Sequence, residues 1–129
     1  MCNKFKSLKN INFNSVLINK YINGSHFIKQ HRDDESIFNN NPSIVSVSFG
    51  ETRTFIMQRV IYNKNNPKSM KRNLNEKYLD LKIPLKNGTI LIMGGSTQKY
   101  YSHGIPKEHC KKKRYNMTFR YSNPIKINN

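Results

Sequence analysis

The sequence is poor in cysteine and has no long apolar run. Cys2 and Cys110 are its only cysteines, so neither a disulfide framework nor a cysteine-rich zinc site can be read from it. No apolar stretch approaches the length of a membrane span, and the first residues lack the apolar core of a signal peptide. These absences predict a soluble intracellular protein, in the nucleus or the cytoplasm. A length of 129 residues predicts one domain, residues 1–129.

Acidic residues are also scarce. Seven Asp and Glu stand against 23 Lys and Arg, which gives a net charge of +16. A positive field of this size attracts polyanions and gives salt-dependent, sequence-independent affinity for nucleic acid. A chain rich in Lys and Asn can also be basic through biased codon usage, or simply soluble. We favour nucleic acid as the partner, because several of the few acidic residues are gathered in one motif.

Helical periodicity is nearly absent, whereas short segments rich in β-branched and aromatic residues end at turn signals. Strands are predicted at residues 16–22, 27–33, 43–49, 53–59, 78–85, 89–93 and 114–121. We expect residues 53–59 to form a hairpin with residues 43–49, and Asn87-Gly88 to close a tight hairpin before residues 89–93. The strand at residues 89–93 is nearly all apolar, as a strand buried on both faces would be. The pattern predicts an all-β fold with minor helix, of the sandwich or jelly-roll type.

Two polar stretches and a short loop lie outside these strands. Residues 1–14 have few apolar side chains and are expected to be disordered or to add an edge strand. Residues 36–42 are expected to form a polar loop. The basic insertion at residues 63–76 is expected to be the longest loop. Its charge could contact a phosphate backbone or could simply be solvated.

The motif His31-Arg32-Asp33-Asp34-Glu35 is the strongest candidate for chemistry. On an extended backbone, His31 and Asp33 leave the same face and can converge on a divalent metal. A third ligand must come from elsewhere in the chain, and His103 is the best candidate. Two imidazoles and one carboxylate form the facial triad of non-haem Fe(II) oxygenases, which leaves coordination positions open. A surface turn is the alternative interpretation, and spacing alone does not decide between them.

The predicted last strand has one polar and one apolar face. Arg114, Asn116, Thr118 and Arg120 alternate with apolar residues, and we expect the apolar face to be the core. The polar face could bind an anion or could be solvated. Two arginines six residues apart lie about 20 Å apart on an extended strand, at about 3.3 Å per residue. They can hold a small dicarboxylate between them only if the side chains lean inward or the strand curls.

With these residues in view, the chain resembles the catalytic core of the AlkB family of Fe(II)- and 2-oxoglutarate-dependent dioxygenases. Its similarity is strongest to the vertebrate homologues that repair alkylated nucleic acid, and it runs from about residue 14 to residue 120. The resemblance is carried by Asn19-Lys20-Tyr21, His31-Arg32-Asp33-Asp34-Glu35, Ile44-Val45-Ser46-Val47-Ser48-Phe49-Gly50, Leu91-Ile92-Met93, His103 and Arg114-Tyr115-Asn116-Met117-Thr118-Phe119-Arg120. The family implies a double-stranded β-helix, with Fe(II) held by His31, Asp33 and His103.

The resemblance also implies a pocket for 2-oxoglutarate. Its residues would be Asn19, Tyr21, Arg114, Asn116, Thr118 and Arg120. Arg114 would hold the distal carboxylate, with Tyr21 and Asn116. Arg120, with Asn19, would meet the carboxylate next to the keto group. Arginine suits this task because its planar fork binds a carboxylate bidentately and stays charged.

The implied reaction is oxidative demethylation of N-alkylated bases with O2 and 2-oxoglutarate, releasing formaldehyde, succinate and CO2. Asp34 and Glu35 would face the target base, where an anionic pair favours cationic lesions such as 1-methyladenine and 3-methylcytosine. Either carboxylate could instead be a solvated loop residue.

One departure from the family concerns the substrate. Repair enzymes of this family carry an N-terminal lid that grips the flipped nucleotide, and almost none of it precedes Asn19. Either the chain is a fragment, or its basic surface does part of that work, or the substrate is single-stranded. We expect a monomer acting on alkylated DNA or RNA that is single-stranded or locally unpaired. The alternatives are an oxygenase of the same fold that acts on protein, and a catalytically silent nucleic-acid-binding core.

Overall fold

The computed structural model describes residues 13–33, 43–66 and 69–122, and it arranges them as two antiparallel sheets of four strands each. The strands are β1 (Ser15–Tyr21), β2 (Ile28–His31), β3 (Ile44–Gly50), β4 (Arg53–Arg59), β5 (Leu81–Leu85), β6 (Ile90–Met93), β7 (Tyr101–Ile105) and β8 (Arg114–Arg120). One sheet has the order β1-β8-β3-β6, and the other has the order β2-β7-β4-β5. A 3₁₀ helix at Leu74–Leu79 and the single-turn helix α1 at Thr97–Tyr100 complete the described structure. The predicted all-β, jelly-roll fold with minor helix is confirmed.

Strands far apart in the chain are neighbours in these sheets. β1 pairs with β8 along its whole length, from Ser15 opposite Arg120 to Tyr21 opposite Arg114. β2 pairs with β7, and His31 stands opposite His103. These pairings place the first and last strands of the chain on the same interior.

Both predicted hairpins are wrong. β3 pairs with β6 and β8, whereas β4 pairs with β5 and β7 in the other sheet. Gly50 makes the bend between them with a φ of 88°, and a side chain there would collide with the carbonyl of Lys113. Gly88 also has a positive φ, of 77°, but its N–H donates to the carbonyl of Ser48 at 2.8 Å, and its turn links β5 to β6 across the two sheets. Turn residues fix a local reversal of the chain, but they do not determine which strands become partners.

β6 is an edge strand and is not buried on both faces as expected. Ile90 is 62% exposed and Ile92 is 40% exposed, whereas Met93 is buried. β6 pairs with β3 alone among the described strands, with Val47 opposite Ile90. Its apolar outward side chains therefore belong to the outer surface of the sheet.

The expectation that the apolar face of β8 forms the core is also wrong. Arg114, Asn116 and Thr118 are buried between the sheets, with Arg114 only 1% exposed, while Tyr115 on the opposite face is 38% exposed. The physical reason is that these polar side chains have buried partners, which removes most of the penalty of burial. The polar face of β8 lines an interior pocket.

β3 shows the same inversion. Ser46 and Ser48 are buried, and Phe49 is exposed. Ser46 donates from Oγ to Oδ1 of Asn116 at 2.8 Å, and Arg114 donates from Nη2 to Oγ of Ser48 at 2.9 Å. β3 and β8 therefore form a polar floor, and the apolar packing comes from a separate cluster. That cluster consists of Tyr21, Ile44, Phe55, Met57, Leu85, Met93 and Ile105.

The predicted long loop is only partly irregular. Val60 forms an isolated bridge with Arg72, and the end of the loop enters the 3₁₀ helix. Asp80, just beyond that helix, pairs with Arg72 and accepts from the N–H of Arg59 at 2.9 Å. The expectations for residues 1–12 and 36–42 lie outside the described residues. In the part of the chain that the structure describes, no helix has the length and apolarity needed to cross a membrane.

Candidate metal centre and cosubstrate pocket

The structure brings His31, Asp33 and His103 together. The rings of the two histidines, on neighbouring strands β2 and β7, have centroids 4.4 Å apart. Oδ1 of Asp33 lies 4.0 Å from Nε2 of His31, and Oδ2 lies 3.4 Å from Nε2 of His103. One potential ligand atom from each residue lies within 4.8 Å of the others. Two imidazoles and a carboxylate at this spacing could hold a divalent metal.

The electrostatics of the cluster favour the forms that bind metals. Burial lowers the pKa of His103, which outweighs the opposing effect of Asp33. Burial raises the pKa of Asp33, but the hydrogen bond with His103 and the charge of Arg120 together hold it below its ordinary value. A neutral imidazole and an ionised carboxylate are the states that coordinate a metal.

Two arginines mark the two ends of the adjoining pocket. Arg120 lies at the metal end, where its Nη1 is 3.2 Å from Oδ1 of Asp33. Arg114 lies at the far end, with its guanidinium carbon 4.9 Å from the ring centre of Tyr21. Between them, Asn116 donates from Nδ2 to Oγ1 of Thr118 at 2.8 Å. The polar face of β8 therefore connects the metal cluster with a second cationic group.

A single pocket of about 560 Å³, open mouth included, joins these groups. Every residue predicted for the metal or for 2-oxoglutarate lines it: Asn19, Tyr21, His31, Asp33, His103, Arg114, Asn116, Thr118 and Arg120. Apolar side chains, among them Leu17, Phe55 and Leu85, form the remaining wall. Asp34 and Glu35, predicted to face the substrate, lie outside the described residues.

Sequence reasoning missed several residues that support this pocket. Arg53 is 1% exposed, and its guanidinium carbon lies 5.5 Å from the ring centre of Tyr21, so this ring lies near two guanidinium groups. Glu108 binds Nε of Arg53 at 2.7 Å. Gln98 accepts a hydrogen bond from the backbone N–H of Asp33 at 2.9 Å. None of these residues belongs to a recognisable spacing pattern, and only the alternating small serines of β3 carried a usable signal.

The donor set at the far end fits a bound carboxylate. In the described part of the chain, Nε and Nη1 of Arg114 are buried without a hydrogen-bond acceptor, and no carboxylate forms an ion pair with this side chain. Burial lowers the pKa of Arg114, which reflects the penalty for its charged form. An anionic ligand would offset that penalty through charge-assisted hydrogen bonds. The pocket thus fits a dianion that reaches from Arg114 to the metal cluster.

Comparison with known proteins agrees with this geometry. The model of the 2OG-Fe(II) oxygenase superfamily matches residues 1–120. This match confirms the predicted cofactor, Fe(II), and the predicted cosubstrates, 2-oxoglutarate and O2.

Curated relatives cover most of the chain. Alpha-ketoglutarate-dependent dioxygenase alkB homolog 3 of Homo sapiens is 44% identical over 110 residues, which are 84% of this chain and 36% of that protein. DNA oxidative demethylase ALKBH2 of Arabidopsis thaliana is 35% identical over 127 residues, covering 90% of this chain and 40% of that protein. ALKBH2 of Homo sapiens is 35% identical over 109 residues, or 84% and 39% of the two chains. The chain therefore spans little more than a third of the length of these relatives. It belongs to the 2OG-Fe(II) oxygenase superfamily and, within that superfamily, to the AlkB family.

Proposed function

We propose that this chain carries the catalytic site of an oxygenase that removes methyl groups from N-alkylated bases in DNA or RNA. The products would be the repaired base, formaldehyde, succinate and CO2. The observation that carries this proposal is the meeting of His31, Asp33 and His103 at one end of a pocket that has Arg114 at its other end. The names of the relatives, which include DNA oxidative demethylase, support this choice of substrate.

The metal would be held by His31, Asp33 and His103, which leave coordination positions open for O2 and the cosubstrate. When bound, Fe(II) supplies the oxidation that hydroxylates the N-methyl group. The protein itself contributes placement and exclusion of water. Its apolar wall and buried polar floor provide an enclosed pocket beside the metal.

The cosubstrate would be held along β8. Tyr21 stands directly opposite Arg114 in the β1–β8 ladder, which supports their shared role at the distal carboxylate of 2-oxoglutarate. Asn19 stands opposite Asn116, in the middle of the pocket. The contact of Arg120 with Asp33 supports its role at the carboxylate next to the keto group, since that carboxylate must lie beside the metal.

The direct test supplies Fe(II), 2-oxoglutarate and single-stranded DNA or RNA containing one 1-methyladenine or 3-methylcytosine. We expect the oligonucleotide to lose the mass of one CH2, with formaldehyde and succinate formed in equal amounts. Formaldehyde from a methylated peptide but not from oligonucleotides would favour the oxygenase that acts on protein. Oligonucleotide binding without any succinate would favour a silent binding core. Either result would overturn the proposal.

Asp34 and Glu35 are proposed to select cationic bases. Replacing Glu35 with Gln removes a negative charge without changing the shape of the side chain, so it should slow turnover of charged 1-methyladenine more than turnover of a neutral methylated base. The measurement is the ratio of kcat/KM for the two lesions in otherwise identical oligonucleotides. An unchanged ratio would remove Glu35 from base selection.

A basic and aromatic cluster beside the metal centre is proposed to hold the nucleic-acid strand. Nζ of Lys99 lies 4.3 Å from the ring centre of Tyr62 and 5.2 Å from that of Tyr100. Tyr100 leads directly into β7, which carries His103. Combinations of cations and aromatic rings bind single-stranded nucleic acids through phosphates and stacked bases. This position supports a single-stranded or locally unpaired substrate whose flanking nucleotides contact Lys99.

Lys99→Ala should therefore raise the KM for a methylated single-stranded oligonucleotide about fivefold, equivalent to ~1 kcal/mol, and should lower the salt dependence of binding by about one counterion. The KM for 2-oxoglutarate should not change. The matched control is Lys82→Ala, which removes the same charge from an exposed residue of edge strand β5. Equal effects of the two variants would reduce the role of Lys99 to its contribution to net charge.

A further inference from the structure

We propose that Gln98 is a positioning residue for the metal centre: its side-chain amide fixes the backbone of Asp33, so that the carboxylate faces the two imidazoles. This inference rests on the proposed metal-binding role of His31, Asp33 and His103. Gln98 itself is not among the proposed metal ligands and acts through Asp33.

The first observation is the position of Asp33 in the chain. β2 ends at His31, so the N–H of Asp33 lies beyond the sheet ladder. Oε1 of Gln98 accepts this N–H at 2.9 Å, and both residues are buried, with exposures of 5% and 7%. A buried backbone N–H requires a partner, because leaving it unsatisfied is costly. The side chain of Gln98 therefore does for Asp33 what a neighbouring strand does for His31.

The second observation is the place of Gln98 in the fold. Gln98 is the buried residue of α1, a single turn between β6 and β7. This turn is fixed by the hydrogen bond from Oγ1 of Thr97 to the carbonyl of Gly94 at 2.6 Å. α1 continues directly into β7 and reaches His103 five residues after Gln98. The amide of Gln98 thus connects the backbone that carries Asp33 with the segment that carries His103.

The orientation of the amide follows from its two contacts. Nε2 of Gln98 lies 3.9 Å from Sδ of Met93, which is a weak acceptor, and Oε1 faces the N–H of Asp33. The opposite orientation would place an NH2 group against an N–H group. The same chain segment has a second connection to α1, because Nη1 of Arg32 reaches the carbonyl of Lys99 at 3.5 Å. Residues 32 and 33 are both connected to α1, and Gln98 provides the shorter of these two contacts.

The expected consequence is a change in metal affinity. Residues that orient metal ligands without touching the metal typically change affinity by about 10–100-fold when they are replaced. A residue that serves the fold alone would change the stability of the metal-free protein without selectively changing metal affinity.

The test compares two substitutions of similar length. Gln98→Met removes the acceptor, whereas Gln98→Glu keeps an oxygen at the end of the side chain. Mn²⁺ affinity is measured by isothermal titration calorimetry, and the Mn²⁺ electron paramagnetic resonance signal provides an independent readout. We expect Gln98→Met to weaken Mn²⁺ binding about tenfold or more, and Gln98→Glu to restore most of that loss. Ser96→Ala, at the exposed start of α1, is the matched control, since Ser96 makes no side-chain capping bond there and its replacement should leave Mn²⁺ affinity unchanged.

Circular dichroism and thermal unfolding of the metal-free proteins establish that the variants are folded. If Gln98→Met does not fold, Gln98→Asn replaces it, because this shorter amide cannot reach Asp33. Wild-type affinity in the variant without the acceptor would overturn the inference. Equal losses in folded Gln98→Met and Gln98→Glu would also overturn it. Failure of the wild-type protein to bind Mn²⁺ would instead overturn the proposed metal centre, and this inference with it.

Discussion

Replacement of Asp33 by alanine is expected to abolish metal binding and 2-oxoglutarate turnover while the chain remains folded. In the described part of the chain, Asp33 provides the only carboxylate of the cluster with His31 and His103. Two imidazoles alone are too few ligands for a stable site. Loss of an outer-shell partner costs about 10–100-fold in metal affinity, so loss of a ligand should cost more than about 100-fold.

The fold should survive this substitution because His103 does not become a buried unpaired charge. Burial lowers the pKa of His103, so its imidazole is neutral near pH 7 and does not need Asp33 as a counter-ion. Mn²⁺ titration, succinate measured by mass spectrometry, and circular dichroism examine the three parts of this expectation. Asp33→Asn, which keeps the shape but not the charge, should behave like Asp33→Ala.

Glu51→Ala is the control for this substitution, because it removes a carboxylate that does not line the pocket. Its Mn²⁺ affinity and succinate formation should match those of the wild type. If Asp33→Ala kept more than about a tenth of the wild-type turnover, the carboxylate would not be a metal ligand, since ligand loss exceeds outer-shell effects.

The centre of the site was accessible from sequence because its chemistry restricts the residue types. His31 and Asp33 form a close pair in the chain, and few other histidines could complete a triad. The structure places His103 directly opposite His31 in the β2–β7 ladder, so two adjacent strands supply both imidazoles. The resemblance to the AlkB family supplied the order of the remaining pocket residues, which spacing alone did not provide.

The inward face of the strands was not accessible in the same way. The alternation along β3 and β8 defines two faces, but the ordinary rule that apolar residues point inward selects the wrong one. Ser48 and Arg114 are buried because the interior between the sheets is a binding pocket, whereas Phe49 and Tyr115 lie on the outer surface. Local rules are most often violated where a protein binds its ligand, and β8 is such a place.

The role of Gln98 also lies beyond sequence patterns. α1 has only four residues, so it shows no periodicity that could identify a buried position. Its contact with Asp33 joins residues 65 positions apart in the chain. Such a contact depends on the packing of α1 against the end of β2, which no spacing encodes.

Arg114→Met is expected to raise the KM for 2-oxoglutarate about 100-fold with a much smaller fall in kcat. Arg114 is 1% exposed, and in the described part of the chain its Nε and Nη1 have no acceptor, so these atoms are free to bind the distal carboxylate. Hydrogen bonds to charged groups contribute about 1.5–3 kcal/mol, and about 2.7 kcal/mol corresponds to a 100-fold change in affinity. The distal carboxylate takes no part in bond breaking, so the loss should appear in binding of the ground state.

Arg72→Met is the matched control for this variant, because Arg72 pairs with Asp80 away from the pocket. It should leave the KM for 2-oxoglutarate unchanged. Arg114→Lys keeps the charge but loses the planar fork, so its KM should lie between those of the wild type and Arg114→Met. A large fall in kcat at unchanged KM would contradict the assignment of Arg114 to cosubstrate binding.

Thermal unfolding separates this binding role from a role in the fold. Without ligand, Arg114→Met should not lower the Tm, because the substitution removes a buried charge that has no carboxylate partner in the described structure. Asn116 keeps its hydrogen bond from Ser46 in the variant, so the polar floor retains a partner. With Mn²⁺ and 2-oxoglutarate, the wild-type Tm should rise as the ligand concentration exceeds its Kd, whereas the variant should show little additional stabilisation by 2-oxoglutarate at the same concentration. Equal stabilisation of both proteins by 2-oxoglutarate would show that the dianion is held elsewhere.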